Sequence, residues 1–167
     1  MKHRQFLPAL VCGGVFALAG CEGDGGPLEP AKPIAPPAGA TILADDVTPQ
    51  FILAECHGRH GQVNEAALAM YVDCWVSERG WEGEVTWIEK TKTGTRFAIK
   101  IEDIRVPDDI FVRCEMPGEH YDLQLKGAAR VRGRIKTVTY PKAAMQEGQR
   151  VYLDNVTVLH AYKPPGR

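Results

Sequence analysis

The amino-acid sequence predicts a mainly β domain, a small five-stranded antiparallel barrel or sandwich preceded by one or two helices. The first observation is that the hydrophobic period changes from helical to alternating at Trp81. The second is that five alternating stretches with turn signals between them follow. The third is the length of 167 residues with an ordinary composition, 44% hydrophobic and 25% charged, which allows one globular domain with appendages.

Two short segments ahead of the alternating region are predicted to be helical. Thr48 is expected to cap the first one, because Pro49 follows it at the first helical position. Asn64 and Glu65 open the second one, which is predicted to run from Ala66 to about Glu78 with an end at Arg79-Gly80. Its apolar residues recur at helical spacing: Leu68, Tyr71, Val72 and Trp75.

Each of the five predicted strands carries apolar residues at every second position, and turn-forming residues separate the strands. The turn signals are Thr91–Gly94, Pro107–Asp109 and Pro117-Gly118. The apolar positions that define the strands are, in order, Trp81, Val85 and Trp87; Phe97, Ile99 and Ile101; Ile110, Val112 and Cys114; Val131, Ile135 and Val138; and Val151, Leu153, Val156 and Val158.

The N-terminus has the pattern of a secretory signal. A basic start, Lys2–Arg4, precedes a mostly apolar run, Phe6–Gly20, which is shorter than the roughly 20 residues that a membrane span needs. The run ends in Leu18-Ala19-Gly20-Cys21, which resembles the lipobox of bacterial lipoproteins. This resemblance implies that residues 1–20 are a lipoprotein signal peptide and that Cys21 is the lipidation site. The alternative is an ordinary secretory signal in which the cysteine occurs by chance.

The lipobox resemblance further implies a lipid-anchored protein of the bacterial cell envelope. The Cys21 thiol would accept a diacylglyceryl group and the freed amine a further acyl chain, so membrane lipid is an expected partner. Two or more acyl chains hold a protein on a bilayer durably. In bacteria that sort lipoproteins by the residue after this cysteine, Asp favours the inner membrane. Because that residue is Glu22, the expected location is the outer membrane, facing the periplasm.

Residues 21–45 are predicted to be a tether. They are rich in proline and glycine and carry almost no large apolar side chains, so they cannot bury enough surface to offset their ordering entropy. Proline-rich linkers run extended, which predicts a semi-rigid stalk that holds the domain off the bilayer. The alternative is a proline-rich recognition segment.

Residues 46–163 are predicted to form the folded domain, followed by a tail at 164–167. The pattern Trp81-Glu82-Gly83-Glu84-Val85, the spacing of Gly127, Val131, Gly133 and Ile135, and the preceding Asn64-Glu65-Ala66-Ala67 resemble the oligonucleotide/oligosaccharide-binding (OB) fold. They are most similar to the tRNA anticodon-like OB domains of small secreted proteins and lipoproteins. The resemblance implies a small five-stranded antiparallel OB-like barrel preceded by one or two helices.

The most distinct chemical pattern is a basic stripe on the fourth strand. Alternate strand positions share one face, so these four side chains are expected to point together away from the core. OB domains that bind nucleic acid combine such a stripe with exposed aromatic rings. The alternative is a solvated face whose charges pair with Glu82, Glu84 and Glu102 on neighbouring strands. The stripe consists of Arg130, Arg132, Arg134 and Lys136, and the aromatic candidates are Trp75, Trp81, Trp87 and Tyr140.

Cysteine and histidine residues suggest one disulfide and no metal site. The stretch Cys56–His60 lacks the second ligand pair that a structural zinc site needs. An oxidising compartment permits disulfides. A hairpin of the two helices would separate Cys56 from Cys74, whereas Cys114 would face the core. The predicted disulfide therefore joins Cys114 to Cys74 or Cys56.

These features favour a non-enzymatic binding or interaction module. The formal net charge of −1 argues against a general polyanion binder, and no catalytic motif or cofactor site stands out. The expected partners are an anionic glycan or another envelope protein, and nucleic acid is not expected. The alternatives are an assembly accessory that contacts envelope proteins and, less favoured, a metal-dependent enzyme.

Overall fold

The computed structural model describes residues 28–57, 63–102, 109–139 and 149–164. Several predictions therefore fall outside the described residues. They concern the signal peptide at 1–20, the lipidation site Cys21, the start of the tether, the loop at 58–61, the turn residues Pro107 and Asp108, Tyr140 and the end of the tail.

Two short helices precede the barrel, and their starts agree with the sequence. Helix α1 spans Pro49–Cys56, and the Thr48 side chain accepts a hydrogen bond from the Phe51 N–H at 3.2 Å. Helix α2 spans Glu65–Tyr71, and the Asn64 side chain accepts one from the Ala67 N–H at 3.2 Å. Both caps satisfy backbone donors that have no partner inside the helix.

Five strands close into one barrel, which confirms the mainly β fold class. Their order around the barrel is β1, β2, β3, β5, β4, and β4 returns to β1. Gly83 and Gly133 lie where strands approach closely, since a Cβ there would stand 2.5 Å and 2.8 Å from the carbonyl oxygens of Lys100 and Asp154. The strands are β1 Trp81–Lys90, β2 Gly94–Ile101, β3 Ile110–Pro117, β4 Ala128–Thr139 and β5 Gln149–Tyr162.

The prediction of a wholly antiparallel barrel is wrong in one place. Strands β3 and β5 pair in parallel, with Val112 opposite Val151, so the barrel is mixed. Consecutive strands alternate in direction, so β3 and β5 run the same way. Because β5 lies between β3 and β4, it becomes the parallel neighbour of β3. Alternation along the chain predicts strands but not which of them become neighbours.

Helix α2 ends seven residues earlier than the predicted end at Glu78. After Tyr71 the chain turns through Asp73, whose φ of 68° is left-handed, and then pairs with β4. The Asp73 N–H donates to the Ile135 carbonyl at 2.8 Å, and the Ile135 N–H donates to the Cys74 carbonyl at 2.8 Å. These bonds cover the edge of β4 beyond the residues that pair with β1. A neighbouring strand edge therefore outcompetes the helical spacing of Val72 and Trp75.

Residues 28–45, which the sequence assigns to the tether, lie along the barrel. Backbone hydrogen bonds hold this segment at three places, so its described part is docked on the domain instead of standing off it. The division of the chain into domains stays a prediction. The bonds, with the donor first, are Ala31 N–H to the Glu119 carbonyl, Ile34 N–H to Thr157 Oγ1 and Leu43 N–H to the Trp75 carbonyl, each 2.8 Å.

Among the described residues, no helix has the length and apolar character that crossing a bilayer requires. The barrel interior is filled by the side chains that point inward from each strand. The helices add Ile52, Leu53 and Tyr71 to this core. The largest fully buried side chain is Phe97.

Candidate functional site

The basic stripe lies on the outer face of β4, as alternation predicts, and its arginines have acidic neighbours. Arg130 donates through Nε and one terminal nitrogen to Glu82 Oε2, at 2.9 Å and 2.6 Å. Glu82 stands directly opposite Arg130 in the β1–β4 register. This pair matches the cross-strand pairing that the sequence left as an alternative.

Arg134 makes the most complete ion pair of the stripe. Its Nε and one terminal nitrogen reach the two oxygens of Asp154 at 2.8 Å and 2.7 Å, and Asp73 lies 3.4 Å away. The hydrogen bond to Asp154 raises the pKa of Arg134 further. Only 15% of the Asp154 side chain is exposed, so this carboxylate depends on the guanidinium for compensation.

The other two stripe residues differ from each other in their surroundings. Arg132 is mostly covered, donates to the Ile34 carbonyl at 3.4 Å and lies 3.8 Å from Glu78, so it holds the docked N-terminal segment. Lys136 is more exposed and lies 3.5 Å from Glu115 of β3. Of the four stripe residues, Lys136 therefore takes part in the groove described below.

The aromatic candidates that the structure describes differ in their exposure to solvent. Trp75 and Trp81 are buried, and the Trp81 indole N–H donates to the Val47 carbonyl at 3.0 Å. Neither ring can stack on a ligand. Trp87 lies on the outer face with 36% of its surface exposed, and Tyr140 is outside the described residues.

Trp87 belongs to a row of outward residues that crosses all five strands. In the strand registers it is opposite Ala98, which is opposite Arg113, and the row continues through Tyr152 to Thr137. Because Ala98 is small, the long side chains on both sides of it meet above its methyl group. The guanidinium carbon of Arg113 lies 4.7 Å from the Trp87 ring centroid, which is a cation–π contact.

This row forms one wall of an open groove of about 500 Å³. The parallel pairing of β3 with β5 ends at Cys114 and Leu153, and both residues line the groove. Beyond this point β5 bends at Asn155, whose φ of 51° is left-handed. Phe97, Cys114 and Leu153 form the floor of the groove, and they are buried, with 3% or less of each residue exposed.

The groove carries basic side chains grouped around the carboxylate of Glu115. Glu115 lies 3.2 Å from Arg96 and 3.5 Å from Lys136, so two cations share one carboxylate. Arg113 and Arg150 also line the groove. Basic side chains thus stand beside an exposed aromatic ring, which suits a ligand that is both anionic and rich in apolar ring faces.

The thiols and histidines form no further centre in the described part of the chain. Cys56, Cys74 and Cys114 are buried and unbridged, so the predicted disulfide of Cys114 with Cys74 or Cys56 is not formed in the structure. Burial raises the pKa of the Cys114 thiol strongly. No group of three or more His, Cys, Asp or Glu side chains gathers within the described ranges, and His60 lies outside them.

Comparison of the chain with protein-family models, with curated proteins and with solved structures finds no match. The site must therefore be judged on its own geometry. Sequence reasoning did not select Arg96, Arg113, Glu115 or Tyr152. Their outward positions are readable from alternation, but the row that unites them depends on strand order, which the sequence did not predict fully.

Proposed function

We propose that this protein is a membrane-anchored lipoprotein of the bacterial cell envelope whose OB-like barrel is a non-enzymatic binding module. In this proposal acylated Cys21 holds the protein on the outer membrane, facing the periplasm, and the groove takes the ligand. The closed five-stranded barrel is compatible with an OB-like fold. The lipobox pattern Leu18-Ala19-Gly20-Cys21 supports the anchor.

The contact between Trp87 and Arg113 is the observation that carries the binding proposal. It places an exposed indole beside a guanidinium on the outer face of the barrel. An aromatic face packs against the apolar face of a sugar ring, and a guanidinium binds carboxylate or phosphate groups. The ligand that fits both groups is an extended anionic glycan.

Single-stranded nucleic acid shares the same two features, namely flat rings and negative charge. The proposed compartment decides between them, since glycans are the abundant anionic polymers of an envelope. The assembly accessory is less well supported. It would use an exposed strand edge or an apolar patch, and the closed strand order gives every strand of the barrel a neighbour on both sides.

The test compares Trp87→Ala with Phe51→Ala in titrations against anionic polysaccharides at low salt. Phe51 is the matched control, because it is an aromatic residue of similar exposure on α1, away from the groove. Loss of a stacking ring costs about 1–3 kcal/mol, so Trp87→Ala should weaken binding about 5- to 150-fold and Phe51→Ala should not.

Two results would contradict the proposal. One is equal affinity of Trp87→Ala and wild type for every glycan that the wild type binds. The other is binding of a single-stranded oligonucleotide in preference to all the polysaccharides, which would assign the groove to nucleic acid.

A further inference from the structure

The docked N-terminal segment connects the two ends of the barrel. We call the end at which β1, β3 and β5 finish the upper end, and the opposite one the lower end. Residues 29–31 lie at the upper end, where the Glu119 N–H donates to the Glu29 carbonyl at 2.9 Å. The segment then descends past Thr157 to α1, whose start lies near Trp81 at the lower end.

The chain is held tightly where it reaches the upper end. Gly118 has a φ of 78°, and a Cβ on it would stand 2.6 Å from the Glu29 carbonyl oxygen. The Thr95 hydroxyl donates to the Gly118 carbonyl at 2.8 Å, and Lys90 pairs with Glu119. The start of the described chain is therefore fixed to the connection between β3 and β4.

This attachment limits how far the barrel can move from the proposed lipid anchor. Leu28 is seven positions after Cys21 in the sequence. A chain spans at most about 3.5 Å per residue, so the acylated cysteine lies within about 25 Å of the upper end. The predicted stalk would have kept the whole domain away from the bilayer, whereas the docked segment keeps one end close to it.

The upper end carries the side chains that a membrane surface favours. Tyr121 is 65% exposed, Leu125 is 55% exposed and Tyr162 is 47% exposed. The first two lie in the β3–β4 connection, and Tyr162 pairs with Ala128 where that connection ends. Tyrosine is enriched at the level of lipid head groups. Exposed lysines accompany these residues: Lys32, Lys92, Lys126 and Lys163.

We propose that the upper end of the barrel rests on the bilayer surface and binds anionic phospholipid head groups through these lysines. Lysine stems can lie along the interface while their ammonium groups reach phosphate. Four carboxylates also lie at this end, so the attraction is moderate, and the acyl anchor supplies the high local concentration that makes it effective. They are Glu29, Glu89, Glu119 and Asp122. This inference rests on the proposed lipidation of Cys21.

The experiment uses the full lipidated chain, purified from bacterial membranes and reconstituted into vesicles of phosphatidylethanolamine and phosphatidylglycerol. An amine-acylating reagent reports the reactivity of each lysine by peptide mass spectrometry, in vesicles and in detergent. Reactivity of Lys92, Lys126 and Lys163 should fall several-fold in vesicles. Lys100 and Lys136 serve as internal controls, because they lie toward the lower end of β2 and β4 and should react equally in both conditions.

A pair of double variants separates surface contact from simple anchoring. Tyr121→Ser with Leu125→Ser should remove most of the protection of Lys92 and Lys126. Phe51→Ser with Met70→Ser changes equally exposed apolar residues on the two helices and should leave the protection unchanged.

The outcomes distinguish this inference from the proposed function. If intact mass shows acylated Cys21 but Lys92 and Lys126 react equally in vesicles and detergent, the orientation is wrong and the lipoprotein proposal stands. If intact mass shows an unmodified Cys21, both are wrong. Protection that persists in vesicles of phosphatidylcholine alone would overturn the role of anionic head groups.

Discussion

The arginines on the outer face of β4 and the groove at Trp87 are both basic regions, yet they differ in what surrounds each charge. On β4, Arg130 and Arg134 each meet a carboxylate of the adjacent strand. In the groove, Arg96 and Lys136 share Glu115 and stand near the exposed ring of Trp87. Positive charge alone is therefore a poor marker of a binding surface on this barrel.

Register explains the difference. Directly opposite residues on neighbouring strands lie close enough for side chains to pair. The β1–β4 register sets Glu82 against Arg130, and the β4–β5 register sets Asp154 against Arg134. In the groove the register sets Ala98 between Trp87 and Arg113. The contact there joins an aromatic ring to a cation, whereas the contacts of the stripe join a cation to a carboxylate. The register that places the arginines of the stripe on one face of β4 also places their carboxylate partners on the same face of β1 and β5.

The largest expected effect in this comparison concerns stability. Arg134→Met leaves the mostly buried Asp154 carboxylate without its bidentate partner, which should lower the free energy of unfolding by about 1–3 kcal/mol. Arg130→Met breaks an exposed pair and should cost about 0–1 kcal/mol. Chemical denaturation of both variants at neutral pH measures the difference. Equal losses would mean that Asp154 finds compensation elsewhere and that the stripe behaves as one solvated surface.

A smaller effect is expected on affinity. Glu115→Gln releases Arg96 and Lys136 from their shared carboxylate, so binding of an anionic glycan should strengthen several-fold and depend more steeply on salt. Glu82→Gln releases Arg130 in the same way, but on β4. Isothermal titration of both variants decides which region contacts the ligand. A gain with Glu82→Gln and none with Glu115→Gln would return the binding site to the stripe.

The smallest expected effect concerns the thiol on the groove floor. Burial raises the pKa of Cys114, and the thiolate is the reactive form, so alkylation of the folded protein at neutral pH should be slow. Bound glycan should slow it further, whereas Arg130→Met should not change it. Peptide mapping under non-reducing conditions provides the check. A bridge from Cys114 to Cys74 or Cys56 would restore the disulfide that the sequence predicts and alter the groove floor.

Local signals predicted the parts of the fold that depend on neighbouring residues. The caps Thr48 and Asn64 lie where the sequence places them, because a cap needs only a side-chain oxygen and the next turn of backbone. The five strands follow from alternation of apolar residues. The end of α2 was missed, since pairing of residues near Cys74 with β4 depends on a strand about sixty positions further along.

Only part of the candidate site could be predicted from the sequence, because the rest depends on contacts between distant strands. Alternation placed Arg130, Arg134 and Lys136 on one face, and Glu82 was among the partners it offered. It could not give the β4–β5 register that sets Asp154 opposite Arg134. Trp87 was among the candidate rings, and its exposure separates it from the buried Trp75 and Trp81. Exposure depends on the elements that cover a ring, and these come from distant parts of the chain.

By itself, the sequence determined the mainly β class, the starts of both helices and the faces of most strand positions, because these follow from hydrophobic period and local hydrogen bonding. Trp87 is an exception, because alternation groups it with the buried Val85, whereas a register shift between the two residues places it on the outer face. The tertiary structure alone decided the parallel pairing of β3 with β5, the docking of residues 28–45 and the groove at Trp87. Each of these requires segments far apart in the chain to become neighbours, and their pairing energy is shared between residues that no local pattern connects.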